Sequence, residues 1–223
     1  MEAPLALLGG TFDPVHYGHL HFADDVRTAL ALPEVRLVPA ADPPHRPPPH
    51  ASARDRVAML ERAVHEFPGL VVDTREIDRG GKSYTVDTLA ALRAERPRTP
   101  LLLLLGMDQF RSLSAWHRWQ TLFDLAHVVV VQRPGIAPDA GVPEALAHTW
   151  QTRRIVDPQG LRSRIAGSIY LQPIAPQPIS STAIRSALVR GGAESVEIAG
   201  LLPSAVLAYI EANGLYIHPT HAS

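Results

Sequence analysis

Cysteine is absent from the 223 residues of this chain. Its absence excludes disulfide bonds, thiol nucleophiles and zinc or iron–sulfur centres held by cysteine. A chain without cysteine suits a reducing compartment, and we expect a cytoplasmic protein.

The chain also lacks long apolar runs and a strong net charge. Its longest apolar run, LLLLL at residues 101–105, falls far short of the roughly 20 residues of a membrane-spanning helix, and the start MEAPLALLGG has no signal-peptide pattern. The net charge is −1, which is not typical of a general nucleic-acid binder or a disordered chain. We expect a globular protein with no membrane or nucleic-acid partner. The sequence carries no signal for an oligomeric state.

Short apolar runs alternate with helical patterns along the chain. The runs are LALL near the start, VRLVPA from residue 35, LVVDT from 70, LLLLLG from 101, HVVVVQ from 127 and SIYLQPI from 168. Runs that are apolar throughout are typical of parallel strands buried on both faces. The pattern predicts the α/β class, with a doubly wound, Rossmann-like parallel sheet covered by helices, in one domain over residues 1–223.

Helical periodicity follows the first strand, where Leu20, Ala23, Val26 and Leu30 recur every three or four residues. Further helices are predicted over about 85–96 and 182–190. The segment LLPSAVLAYIEANGLY predicts a terminal helix stopped by Gly214, so residues 179–223 would form a C-terminal helical part of the domain.

Two proline-rich stretches follow predicted strands, DPPHRPPPH at 42–50 and QPIAPQP at 172–178. Loops at the carboxyl edge of such a sheet usually form the ligand site. We therefore expect both stretches to lie near bound ligand.

The stretch GGTFDPVHYGHLH at residues 9–21 joins a strand to a helix in the manner of nucleotide-binding loops. Glycines let a ligand approach the backbone closely, and a helix start offers unpaired N–H groups and a positive dipole end. His16 and His19 are three residues apart, so they should share one helix face. At a positive helix end these imidazoles should resist protonation unless an anion is bound beside them, which favours phosphate.

Two other interpretations of the histidines remain open. The spacing H-x-x-H-x-H could bind zinc, although the chain has no cysteine and no HExxH glutamate beside the pair. All three histidines could instead be structural. His21 lies off the shared face, and we expect it to pack or face solvent.

A second helix start follows the last predicted strand, at ISSTAIR. Ser180, Ser181 and Thr182 could be ordinary caps. Arg185, predicted in the first helical turn, would oppose the helix dipole unless a phosphate sat there. Together with His16 and His19 it would form a site suited to a triphosphate.

With these residues the chain resembles the HxGH-motif nucleotidyltransferases, and within them the bacterial nicotinate-mononucleotide adenylyltransferases. The resemblance spans nearly the whole chain. It is carried by GGTFDPVHYGHL, PPHR at 43, SYTVDTL at 83, GMDQFRSLSAWHRW at 106, RPG at 133, ISSTAIR and the terminal VLAYIEANGLY.

The resemblance implies transfer of AMP from ATP to nicotinate mononucleotide, which gives nicotinate adenine dinucleotide and pyrophosphate in NAD biosynthesis. The mononucleotide phosphate would attack the α-phosphorus directly, without a covalent enzyme intermediate. Catalysis would then depend on positioning and charge neutralisation. Mg²⁺ would be held by the phosphates and water rather than by side chains. Asp13 could contact the shell of the ion, but it is more simply a turn residue before Pro14.

The resemblance also assigns residues to the site. The catalytic residues would be His16, His19 and Arg185. ATP would contact Gly9, Gly10, Thr11, Phe12, Gly106, Asp108, Ile179, Ser180, Ser181 and Thr182. Nicotinate mononucleotide would contact Pro44, His45, Arg46, Ser83, Tyr84, Thr85, Trp116 and Arg133.

Some of these assignments have a physical argument of their own. The backbone N–H groups of Tyr84 and Thr85 precede a predicted helix and could hold the nicotinate carboxylate. Asp108 could accept from ribose hydroxyls or cap a helix. Trp116 could stack on the pyridine ring, whereas Trp119 should pack. Arg46 stands where the family commonly has lysine, and the two are not interchangeable.

Two alternative functions remain open. One is a related adenylyl- or cytidylyltransferase with another phosphorylated acceptor, such as phosphopantetheine. The other is a noncatalytic nucleotide sensor, which would be expected to have lost a motif histidine or Arg185; the chain keeps all three.

Overall fold

The computed structural model describes residues 2–44, 47–137, 139–175, 177–191, 198 and 200–216. Within them the predicted doubly wound parallel sheet is confirmed. Its strands are β1 (Leu5–Gly10), β2 (Val35–Pro39), β3 (Leu70–Val72), β4 (Leu101–Gly106), β5 (His127–Gln132), β6 (Arg154–Ile155) and β7 (Ile169–Pro173). They form one seven-stranded sheet in the order β3-β2-β1-β4-β5-β7-β6, with every pairing parallel.

Helices cover both faces of this sheet. They are α1 (Tyr17–Ala29), α2 (Ala53–Val64), α3 (Arg75–Arg79), α4 (Thr85–Glu95), α5 (Met107–Arg111), α6 (Leu122–Leu125), α7 (Glu144–Arg153), α8 (Gly160–Ser163), α9 (Ser181–Gly191) and α10 (Ser204–Ala212). Single turns of 3₁₀-helix lie at Leu113–Ala115 and Trp119–Thr121. No helix in the described ranges is both long enough and apolar enough to cross a membrane.

The leucine run of β4 shows how the sheet serves two cores. Successive side chains of a strand point to opposite faces, so Leu102 and Leu104 join one hydrophobic cluster while Leu101, Leu103 and Leu105 join the other. Both faces are buried, which explains why the strand contains no polar residue.

The first cluster also holds the C-terminal helices. Ile184 and Leu188 of α9 and Val206 and Ile210 of α10 are buried in it together with Leu8 of β1. Helix α10 therefore packs onto the same face as the strand that opens the chain.

The predicted stop at Gly214 matches the geometry after α10. Gly214 has φ 60°, and the N–H of Leu215 donates to the carbonyl of Ile210 at 3.0 Å. Glycine favours this left-handed conformation, and the bond satisfies a carbonyl of the last helical turn. The chain is thereby turned back towards the body of the protein.

Strand β6 and the helices α2, α3, α5, α6, α7 and α8 were not predicted. The strand β6 has only two residues, too few to carry a periodic pattern. Helix α2 does carry one, with Met59, Leu60 and Ala63 buried and the Ser52 hydroxyl accepting from the N–H of Asp55 at 3.2 Å. That cap and that spacing were readable in the sequence.

Candidate active site

A cleft of about 1380 Å³ opens at the carboxyl ends of β1 and β4. These two strands are neighbours, and the strand order runs outward from them in opposite directions. Ligands of doubly wound sheets bind at such a switch point. The volume exceeds the roughly 300–1,000 Å³ of a pocket for one drug-sized molecule, so the cleft has room for more than one such molecule.

Every predicted site residue within the described ranges lines this cleft. They are Gly9, Gly10, Thr11, Phe12, His16, His19, Pro44, Ser83, Tyr84, Thr85, Gly106, Asp108, Trp116, Arg133, Ile179, Ser180, Ser181, Thr182 and Arg185. His45 and Arg46 lie outside the described residues. The structure thus brings together side chains from both ends of the chain, while their individual roles stay predictions.

The loop after β1 is shaped by Phe12. Its φ is 51°, a left-handed conformation that costs a non-glycine residue about 1–3 kcal/mol, and its ring is buried. A Cβ on Gly10 would lie 2.9 Å from that ring. Glycine at position 10 is therefore needed for the Phe12 ring, whereas nothing lies within 4 Å of a Cβ at Gly9, which leaves that position open to a ligand.

His16 and His19 share one face at the start of α1, as predicted. Their rings stack with centroids 3.7 Å apart and planes at 23°, and His16 is the N-cap residue. Burial lowers the pKa of His16 to about 4. At neutral pH His16 is therefore a neutral imidazole in the ligand-free protein, and the pair does not place two fixed positive charges in the cleft.

The glycine between the histidines accommodates the His16 ring. A Cβ at Gly18 would lie 2.9 Å from His16 Nδ1 and 3.2 Å from the Cβ of Ile179. Gly18 thus lets the imidazole and the segment before α9 come together. Among the described residues, His16 Nδ1 has no hydrogen-bond partner.

His21 lies outside the cleft lining, as expected for a packing residue. Its ring packs against Tyr17 and Phe67, with centroids 5.6 Å and 5.3 Å away. Trp119 also packs, edge-on to Phe123 at 6.3 Å. His21 therefore does not join His16 and His19 in a common metal centre.

The prediction for Arg185 was wrong in its position on the helix. Arg185 is the fifth residue of α9, beyond the first turn, and its Nη1 donates to the carbonyl of Asp13 at 2.6 Å. The same atom lies 3.9 Å from Asp13 Oδ2. An acidic partner within the protein thus accounts for this cation without any ligand, although its side chain still lines the cleft.

Asp13 makes more contacts than a turn residue before proline needs. Its buried carboxylate accepts hydrogen bonds from the N–H groups of His50 and Ala51 and from the hydroxyl of Tyr216, at 2.8, 3.0 and 2.7 Å. Burial alone would raise the pKa of Asp13, but these bonds and the Arg185 cation lower it. Asp13 stays ionised and joins the loop after β1 to three distant segments.

A buried arginine stabilises the same loop from behind. Arg56 of α2 is 1% exposed and donates from Nη1 to the carbonyl of Thr11 at 2.8 Å. Burial lowers its pKa, while the nearby Asp13 carboxylate favours its charged form. Arg56 lies three, four and seven residues before Met59, Leu60 and Ala63, so it shares their buried helix face, whereas Arg54 is exposed.

The start of α9 is anchored to the loop after β1. The Ser181 hydroxyl donates to the carbonyl of Pro14 at 3.0 Å, and the Ser180 hydroxyl accepts from the N–H of Ala183 at 3.3 Å. Ser180 therefore acts as the helix cap that its residue type predicts. Its position also puts the two helix starts, of α1 and α9, on the same side of the cleft.

At the end of β4, Gly106 precedes α5 and Asp108 projects into solvent. The Asp108 side chain is 97% exposed and lies 3.3 Å from Arg111 Nη1. Gly106 is capped by the side chain of Gln109, which accepts from its N–H at 3.2 Å. Asp108 is thus not the helix cap and is open to a ligand.

The residues predicted to bind nicotinate mononucleotide lie around the start of α4. Tyr84, Trp116 and His117 line the cleft there and are called the aromatic wall below. The Tyr84 ring lies 4.4 Å from that of His117, a lining residue that the sequence analysis missed. The N–H of Tyr84 donates to the carbonyl of Lys82 at 3.1 Å, and its role in holding a carboxylate stays a prediction. Thr85 opens α4, and its N–H has no acceptor within the helix.

Ser83 fixes this wall to the loop after β2. Its hydroxyl accepts from the N–H of Ala41 at 2.8 Å, and its own N–H donates to the carbonyl of Asp42 at 2.9 Å. Ser83 therefore shapes the wall as well as lining it. Trp116 is half-buried beside it, and Arg133 is exposed at the cleft rim.

A protein-held metal ion does not fit this arrangement. The described residues contain no group of three or more histidine, aspartate or glutamate side chains that could hold one. Asp13, the carboxylate of the loop after β1, has both oxygens occupied by donors of its own chain. A divalent cation in the cleft would depend on ligand phosphates and water.

Comparison with known proteins places the chain among the adenylyltransferases. A cytidylyltransferase-like family model matches residues 7–187. A relative from Aeromonas salmonicida, named "probable nicotinate-nucleotide adenylyltransferase", is 47% identical over 97% of this chain and 98% of its own. One of the same name from Acidithiobacillus ferrooxidans is 47% identical over 96% of each chain.

Solved structures show the same fold. Nicotinic acid mononucleotide adenylyltransferase of Plasmodium falciparum, complexed with NaAD, matches with a TM-score of 0.71 over 96% of this chain and 98% of its own, at 16% identity. Its complex with APC matches with a TM-score of 0.69 at 15% identity. The doubly wound fold of this chain thus recurs across distant sequences.

Proposed function

Because the chain belongs to the nicotinate-nucleotide adenylyltransferase family, we propose that it transfers the adenylyl group of ATP to nicotinate mononucleotide. The products are nicotinate adenine dinucleotide and pyrophosphate. The observation that carries the proposal is the single cleft in which the paired histidines of α1, the start of α9 and the aromatic wall before α4 meet. We also propose a cytoplasmic location, from the absence of cysteine.

The reaction requires little acid–base chemistry from the protein. A phosphate oxygen of the mononucleotide forms a bond to the α-phosphorus of ATP as the bond from that phosphorus to the bridging oxygen breaks. The nucleophile is already ionised, so alignment of the two phosphates and stabilisation of charge are the main tasks.

The histidines suit this task as hydrogen-bond donors to the phosphates. His16 is neutral when no ligand is bound, and an imidazole N–H aimed at a phosphate oxygen costs no reorganisation during the reaction. Binding of a polyanion beside the pair would raise the imidazole pKa values and strengthen these bonds. Arg185 lines the same part of the cleft and would neutralise charge on the departing pyrophosphate.

Mg²⁺ is proposed to accompany ATP, held by phosphate oxygens and water. It would supply charge neutralisation for the departing pyrophosphate. The protein's contribution is the set of N–H donors and the cation around the phosphates.

The aromatic wall is proposed to bind the nicotinate ring. Replacing Trp116 with alanine should raise KM for the mononucleotide by about tenfold, a loss typical of one stacking partner, and leave KM for ATP within about twofold. Steady-state kinetics with each substrate varied in turn measures both constants. Trp119→Ala serves as the control, because Trp119 packs on Phe123. Equal losses for both substrates would assign Trp116 to packing.

The proposed function is tested by pyrophosphate release from ATP, Mg²⁺ and nicotinate mononucleotide. Nicotinamide mononucleotide and phosphopantetheine are the comparison acceptors. We expect the highest kcat/KM with nicotinate mononucleotide, because a helix start favours its ring carboxylate. Absence of pyrophosphate with this acceptor, or a preference for phosphopantetheine, would refute the proposal.

A further inference from the structure

The inference concerns Tyr216, a residue near the C-terminal end of the described chain that does not line the cleft. We propose that Tyr216 is a positioning residue for the transfer site: its hydroxyl holds the Asp13 carboxylate, and Asp13 in turn holds Arg185 at the cleft. The proposal rests on the proposed function for the role of Arg185. It assigns to the C-terminal segment a part in the reaction as well as in the fold.

Asp13 is held by hydrogen bonds from several parts of the chain. Tyr216 donates to Asp13 Oδ1 at 2.7 Å, while Oδ2 accepts from the N–H of His50 and lies 3.3 Å from its ring Nδ1. The carbonyl of the same residue accepts from Arg185. Asp13 thus joins the loop after β1 to the proline-rich stretch 42–50, to α9 and to the C-terminal segment.

The backbone around Gly214 places the Tyr216 side chain next to Asp13. After the reversal at Gly214, Tyr216 has φ 62°, a conformation that is costly for a side chain of this size. Burial raises the pKa of its hydroxyl, and the bond to Asp13 raises it further. Tyr216 therefore stays a donor at any physiological pH, and its strained turn is held by the contacts of its side chain.

Charged and titratable side chains surround the Asp13 carboxylate in the loop after β1. The ionisable groups facing Asp13 are Tyr216, His50, Arg185 and the buried Arg56. Without the Tyr216 hydroxyl one carboxylate oxygen would lose a donor while remaining buried. Asp13 would then turn towards the two arginines, and the guanidinium of Arg185 would move from its place at the cleft.

Tyr216→Phe tests the proposal because it removes one hydroxyl and keeps the ring. We expect kcat to fall about tenfold, as for loss of a hydrogen bond to a charged group, with KM for the mononucleotide unchanged. The acid limb of the pH–kcat profile should move to higher pH, since Asp13 loses a bond that lowers its pKa. The dissociation constant of Mg²⁺-pyrophosphate, measured by calorimetry, should rise by a similar factor.

Tyr209→Phe is the matched control. Tyr209 lies on α10, and its hydroxyl donates to Asp55 at 2.9 Å rather than to Asp13. It should keep the wild-type kcat, pH profile and pyrophosphate affinity. Equal changes in both variants, or no change in either, would overturn the proposal.

The route through Asp13 is tested by a double-mutant cycle with Asp13→Asn. In that background Tyr216→Phe should change kcat by less than about twofold, because the two residues act as one unit. An undiminished effect would overturn the proposal. A wild-type protein that binds pyrophosphate but forms no dinucleotide would refute the proposed function alone, and the pyrophosphate affinities of the variants would still decide the role of Tyr216.

Discussion

Replacing His19 with alanine should lower kcat for pyrophosphate release by about 100-fold or more, the loss seen when one transition-state donor is removed from a preorganised site. His19 lines the cleft and stacks on His16, which is buried at the start of α1. The substitution removes a donor without changing the sheet. Single-turnover kinetics at saturating ATP and mononucleotide would measure the chemical step directly.

His21→Ala is the control for this prediction. It lies on the same helix two residues further on, and it packs against Tyr17 and Phe67 outside the cleft. Its kcat should stay within about twofold of wild type, since substitutions away from the reacting groups act mainly on stability. A His19 variant with near-normal kcat would remove that residue from the proposed chemistry.

Replacing Arg56 with alanine should lower the free energy of unfolding by about 3 kcal/mol, as expected when a buried charged donor is removed and its acceptor is left unsatisfied. Arg56 is buried and donates to the Thr11 carbonyl. The negative charge of Asp13 favours the charged form of its guanidinium. The change leaves that carbonyl without its donor and removes one of the two arginine cations near the Asp13 carboxylate. Urea unfolding followed by fluorescence measures the difference.

Arg54→Ala tests whether this loss is specific. Arg54 lies on the same helix but is exposed, so its replacement should change the free energy of unfolding by less than about 0.5 kcal/mol. If both variants lost equal stability, the effect would reflect helix propensity rather than the buried contact. Equal midpoints for Arg56→Ala and wild type would contradict the prediction outright.

The sheet was predictable because its central strands β4 and β5 are buried on both faces. A continuous apolar run such as that of β4 identifies a central parallel strand without any knowledge of its neighbours. The order of the strands and the position of the switch point between β1 and β4 depend on pairings between distant segments. Those pairings leave no periodic signal in the sequence.

In the candidate site, too, local spacing was predictable from the sequence and contacts between distant segments were not. The spacing of His16 and His19 was readable because residues three apart share a helix face. The bonds of Asp13 were not, since its partners Ala51, Arg185 and Tyr216 lie 38, 172 and 203 residues further along the chain. A charge at a turn gives no indication of which of these segments will reach it.

The distance in sequence between Asp13 and its partners also has a consequence for folding during synthesis, which begins at the N-terminus. The loop after β1 is synthesised first, yet the hydroxyl that completes the bonds of its carboxylate arrives only with residue 216. Contacts of such large sequence separation form late and slow the folding of a domain. On a translating ribosome the loop after β1 would emerge long before Tyr216, so the Asp13 carboxylate can accept this hydrogen bond only after the last described turn has been made.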